Sequence, residues 1–137
     1  MNYESDLVIS ESDYLKIKKL ISTNRSTATM ELLSKLTRCE IAKDEDTPTT
    51  VVRLFKEVLY QEIATGNTRK VCIVMPWESD VIKMRVSILS PVGIALLGTS
   101  IGDTVCWPLL HGKSLLLKVV SVDLPQQDYS ESIKYVY

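Results

Sequence analysis

Apolar residues near the start of the chain recur at helical spacing: Tyr14, Ile17, Leu20 and Ile21 share a face, with Lys16, Lys18 and Lys19 mostly outside it. Ser10-Glu11-Ser12-Asp13 precedes them with capping-box spacing, Ser10 as the cap and Asp13 three residues on. The polar run Ser22-Thr23-Asn24-Arg25-Ser26-Thr27 breaks the pattern. A second helix is predicted over residues 28–43, with Leu32, Leu33, Leu36, Cys39 and Ile41 as its apolar contacts. Two helices joined by so short a turn fold back as an antiparallel hairpin. Both apolar seams are too short for an independent coiled coil, so the hairpin is expected to lean on the domain behind it.

The charged, proline-terminated stretch Lys43-Asp44-Glu45-Asp46-Thr47-Pro48 divides helix-period from strand-period sequence. It sets the expected boundary between a helical hairpin at 1–46 and a second domain at 47–137. Strands are predicted at 51–54, at 58–63 before the Thr65-Gly66-Asn67 turn, and at 69–74 before Met75-Pro76-Trp77. Two more are expected at 104–107 and 114–122, joined through Gly112. The result is an α+β fold, with five or six mainly antiparallel strands packed by one short helix. Residues 129–137 form a polar, aromatic tail.

Between these strands, residues 86–98 spell a corner. Val86, Ile88 and Leu89 suit a strand, Ser90 suits a helix N-cap, and Pro91 suits the first helical position, where its missing N–H costs nothing. Ile94, Ala95 and Leu97 give the helix an apolar face, and Gly98 can end it in a left-handed conformation. On the residues alone, Ser90-Pro91-Val92 need be no more than a helix cap.

Composition changes the picture mainly by exclusion. With 45% hydrophobic and 24% charged residues the chain suits a globular protein, and 137 residues suffice for one ordinary domain plus an appendage. Sixteen basic against seventeen acidic residues leave a net charge of -1, without the basic excess of a protein that coats nucleic acid. No apolar run reaches the length of a membrane span, and the N-terminus lacks a signal-peptide layout, so a cytoplasmic location is expected.

Candidate chemistry is sparse. Cys39, Cys72 and Cys106 lie far apart among apolar residues and read as reduced thiols. His111 is the lone histidine, in a turn with no Cys or Asp spaced to join it on a metal. A serine elbow, a phosphate-cradling glycine loop and a Cys-x-x-Cys pair are all missing, so no catalytic residue, cofactor or metal is expected. The hairpin tip at 22–28 carries Arg25 and hydroxyls but no carboxylate, whereas holding a hard cation takes two or more carboxylates converging on one point. Trp77 and Trp107 are expected in or near the core.

Specific wording adds a resemblance. Ser87-Ile88-Leu89-Ser90-Pro91-Val92-Gly93 with Ala95-Leu96-Leu97-Gly98, then Gly102-Asp103 and Trp107-Pro108, resembles the C-terminal domain of the bacterial Gre transcript-cleavage factors. Weaker matches are Pro48 with Val51-Val52, Val74-Met75-Pro76, and Gln126 with Asp128-Tyr129. The short hairpin and overall length are similar to the branch of regulators of nucleoside diphosphate kinase. This resemblance implies an FKBP-like C-terminal fold and binding to RNA polymerase at the rim of its secondary channel, with Ser90, Pro91 and Val92 as contacts. The balanced charge and the lack of a membrane-length apolar run leave no direct nucleic-acid or membrane partner expected, and a monomer is expected.

Departures from the Gre pattern shape the rest. The first helix spans only about 18 Å at 1.5 Å per residue, and the tip residues Thr23, Asn24 and Arg25 bring no carboxylate. The expected function is therefore a regulator that competes with Gre factors without stimulating transcript cleavage. Two alternatives remain open: an FKBP-like peptidyl-prolyl isomerase, suggested by fold alone, and a direct protein-binding adaptor. An isomerase needs an aromatic-lined cavity, and one Phe and two Trp are little to build it from. Any influence on nucleoside diphosphate kinase is expected to run through transcription.

Overall fold

The computed structural model describes residues 6–108 and 114–125, the side chains of 107–108 and 123–125 excepted. The expectations for His111, Gly112, the side chain of Trp107 and the tail at 129–137 lie outside the described residues. In chain order the elements are β1 (Val8–Ser10), α1 (Glu11–Thr23), α2 (Thr27–Leu36), β2 (Glu40–Ala42), β3 (Lys56–Glu62), β4 (Thr68–Val74), β5 (Arg85–Ser87), α3 (Pro91–Leu96), β6 (Thr104–Pro108) and β7 (Ser114–Pro125).

Helix α1 starts where Ser10 Oγ accepts the Asp13 N–H, 3.2 Å away. The reciprocal half of the capping box is not made, because the Asp13 carboxylate accepts the Leu54 N–H at 3.0 Å instead. A complete capping box opens α2: Ser26 Oγ accepts from Thr29 N, and Ser26 N donates to Thr29 Oγ1.

The second helix ends at Leu36 rather than running to residue 43. Glu40 N donates to Leu7 O at 2.8 Å, and β2 pairs in parallel with β1, placing Ile41 opposite Ile9. Strand pairing wins over local helix propensity here, and Ile41 is left exposed.

Residues 51–54 form no strand of the main sheet. Val51 makes one isolated bridge to Ser100, and Val52 N donates to Thr99 O at 2.7 Å. Val51, Val52 and Leu54 are buried, so the apolar run is that of an irregular segment crossing the core.

The main sheet has five strands in the order β5-β4-β3-β7-β6. Its pairings are antiparallel except β4–β5, which is parallel. Two register shifts against the long β7 interrupt β3, at Lys56/Val58 and Leu59/Tyr60. One continuous core joins Ile17, Leu20, Leu32 and Leu36 of the helices to Val58, Ile73, Ile88, Leu96 and Val119 behind them. Both α1 and α2 thus pack into the same core as the sheet.

Gly98 sits where three segments meet. Its φ is +82°, its O accepts the Val8 N–H and its N–H donates to Val52 O, each at 3.1 Å. A Cβ added there would lie 3.2 Å from Val8 O in a conformation L residues avoid, which is why glycine closes the corner.

Candidate interaction surface at the strand–helix corner

The corner between β5 and α3 is fixed by short-range hydrogen bonds from two serines. Ser87 Oγ accepts the Leu89 N–H at 3.0 Å, turning the chain out of the strand. Ser90 Oγ donates to Ser87 O at 2.6 Å and accepts the Gly93 N–H at 3.1 Å. One hydroxyl therefore ties the strand end to the helix start. A Cβ at residue 93 would lie 2.4 Å from Ser87 O and 3.2 Å from Ile88 Cα, so only glycine fits.

The three corner residues singled out in the sequence differ in what they present. Pro91, at the first helical position, is exposed and Ser90 is half-buried. Val92 is 7% exposed and belongs to the core. Of the three, only Pro91 is fully presented to solvent, and Val92 is packed into the core.

Lys35 supports the corner from α2. It is 4% exposed, and its Nζ donates to Ile94 O at 2.6 Å and to Ala95 O at 3.0 Å. A cation there satisfies carbonyls at the C-terminal end of α3. Its signal was in the sequence, since Lys35 shares the apolar seam with Leu32 and Leu36.

Beside the corner, residues 77–84 form a turn with apolar side chains pointed outward. Asp80 Oδ1 accepts the Ile82 and Lys83 N–H groups at 3.0 and 3.3 Å, and Asp80 and Arg85 exchange main-chain hydrogen bonds. Val81 and Ile82 are each 93% exposed. Trp77 is 73% exposed, correcting the expectation of a core position. It lies in a 3₁₀ turn, Pro76–Glu78, that leads the chain away from the sheet. An open groove of about 820 Å³ runs between this turn and β4, with Val71, Val86 and Val92 and the basic Arg69, Lys70 and Arg85 in its lining.

Thr23, Asn24 and Arg25 lie in the connection between α1 and α2. Thr23 Oγ1 donates to Leu20 O at 3.1 Å, Asn24 is extended as the C-cap, and Arg25 is exposed. Residues 22–30 contain no carboxylate.

Titratable groups add little at the corner itself. Burial pushes the Asp13 carboxyl above the usual range, against the opposing Leu54 N–H and the positive charges of Arg53 and Lys16. Asp44 is held below it, chiefly by the Ser12 N–H, 3.0 Å from Oδ1. Burial raises the Tyr60 phenol. Among the described residues no cluster of three His, Cys, Asp or Glu is placed to hold a metal, and no helix is long and apolar enough to cross a membrane.

Residues 47–124 match the family model for the C-terminal part of the GreA/GreB transcription elongation factors. Over 92 residues the chain is 29% identical to the regulator of nucleoside diphosphate kinase of Escherichia coli K12, covering 67% of this chain and 68% of that protein. It is 33% identical over 75 residues to transcription elongation factor GreA of Thermosipho africanus, covering 55% of this chain but 47% of that protein. The chain thus matches about half the length of that elongation factor. Among solved structures it is similar to a GreA/GreB elongation factor from Nitrosomonas europaea, with TM-score 0.74 and 30% identity over 88% of this chain and 100% of that one.

Proposed function

The chain belongs to the GreA/GreB transcription elongation factor family, and from that premise we propose that it is a transcription regulator that binds RNA polymerase. In this reading it docks at the rim of the secondary channel through the corner, with exposed Pro91 as the contact, Ser90 beside it and Val92 as the internal support. It acts in the cytoplasm as a monomer. Residues 1–46 form the helical hairpin and 47–137 a Gre-like domain of FKBP-like form, a division supported by a family match that begins at residue 47.

One observation carries the mechanism. The connection between α1 and α2 has no carboxylate, and helices of 13 and 10 residues reach only about 20 and 15 Å at 1.5 Å per residue. Such a tip cannot gather the paired carboxylates that would hold a catalytic Mg²⁺. The protein therefore occupies the Gre site without stimulating RNA cleavage, and its influence on nucleoside diphosphate kinase levels passes through transcription.

The test measures core polymerase binding by wild type and Pro91→Asn, with a Gre factor as competitor, and assays cleavage in backtracked complexes. Competition by wild type, loss of it in the variant and no cleavage are expected. Cleavage of the transcript by the purified protein would refute the reading.

A further inference from the structure

A second groove lies between α1 and the Pro76–Glu78 turn. It has a volume of about 420 Å³ and is lined by Lys16, Lys19, Leu20, Thr23, Phe55, Met75, Trp77 and Glu78. That size is within the range of small-molecule sites. Leu20 and Met75, both buried, supply its apolar floor.

Two aromatic residues line the groove at some conformational and solvation cost. Phe55 has φ +66°, a left-handed conformation that bulky residues rarely adopt, and its N–H donates to Ile73 O at 2.8 Å. Trp77 keeps most of its indole in water, although it is the largest apolar side chain available. Lys16 and Lys19, three residues apart on one face of α1, give the lining two basic residues to the one acidic Glu78. Lys16 also faces Asp13 and Asp44, whereas Lys19 makes no ion pair among the described residues.

We propose that this groove binds a small aromatic anion, an aryl body bearing one carboxylate or sulfonate. The aryl group packs between Phe55 and Trp77 over Leu20 and Met75, and the anion meets Lys19. A nucleotide fits less well, because the lining has few groups to pair with a base edge and the Thr23 hydroxyl already donates to Leu20 O. The groove is walled by the first helix on one side and by the segment after β4 on the other. Its occupant therefore bridges the helical and sheet parts of the fold.

The full-length protein is titrated by fluorescence and calorimetry with anilinonaphthalene sulfonate, its uncharged analogue phenylnaphthylamine, and AMP. A saturable one-to-one site for the sulfonate is expected, with the uncharged analogue weaker by about fivefold or more and no displacement by AMP. Trp77→Ala and Lys19→Glu each weaken the sulfonate by about tenfold, with melting temperatures unchanged because both side chains are exposed. The proposal is overturned by the absence of a saturable site, by both variants binding like wild type, or by AMP displacing the sulfonate at comparable concentration.

Discussion

Asp13 and Leu54 are joined across the fold: the buried Asp13 Oδ2 accepts the Leu54 main-chain N–H at 3.0 Å. The first helix thereby satisfies a donor in a segment that belongs to no strand. Asp13→Ala strands that donor, and a loss of about 1–3 kcal/mol is expected in urea unfolding. Asp13→Asn keeps an acceptor and should lose less.

The same carboxylate sets a pH dependence. Burial raises the Asp13 carboxyl above its ordinary value of 3.8, so the folded state holds the proton longer than the unfolded chain. Its contribution to stability therefore falls as pH rises from 3.8 through the raised value. Asp44 has the opposite sign: its lowered pKa stabilises the fold above 3.8 and that contribution is lost as pH falls through the lowered value. Urea midpoints between pH 3 and 7 should show Asp13→Asn gaining on wild type with rising pH, while Asp44→Asn loses ground over its own acidic window.

Gly93→Ala tests the corner's packing. The added methyl would sit 2.4 Å from Ser87 O, and a cost of about 2–4 kcal/mol is expected because backbone, not a movable side chain, must yield. Chemical denaturation measures it, and stability within error of wild type would contradict the geometry.

Lys35→Met removes the donor to Ile94 and Ala95. Expected are a loss of about 1–3 kcal/mol and faster amide exchange in α3, read by hydrogen-exchange mass spectrometry. Protection in β3 should fall only by the global loss.

Pro91 and Val92 allow the proposed docking to be tested apart from folding. Val92→Ala, in the core, is expected to cost about 1–2 kcal/mol, whereas Pro91→Asn, at an exposed position, should weaken polymerase binding by about tenfold at little cost to the melting temperature. Val81→Ser and Ile82→Ser, at 93% exposure, should change stability by no more than about 0.5 kcal/mol.

The corner was legible because its rules are local. A cap, a proline and a glycine determine a strand–helix turn within a few residues, and Ser90, Pro91 and Gly98 do in the structure what their types suggest. Residues 37–43 were misjudged because their structure comes from a strand over thirty residues away, and nothing in Glu40-Ile41-Ala42 marks that partner. Residues 51–54 look like a strand because burial, not pairing, selects their valines. Trp77 was misplaced because large apolar side chains usually go inside, and Lys35 was missed because a lysine on an apolar seam looks like a surface residue until the carbonyls it serves are seen.

Gly98 gives the molecule a cooperativity that its two-part architecture conceals. Gly98 accepts the Val8 N–H and donates to Val52 O, so the segment before α1 cannot leave the corner without releasing a bond to the residue that also ties the corner to Val52. A single melting transition, read by calorimetry, is expected. A chain cut between residues 46 and 47 would yield two fragments, each missing the other's backbone partners, rather than two foldable modules.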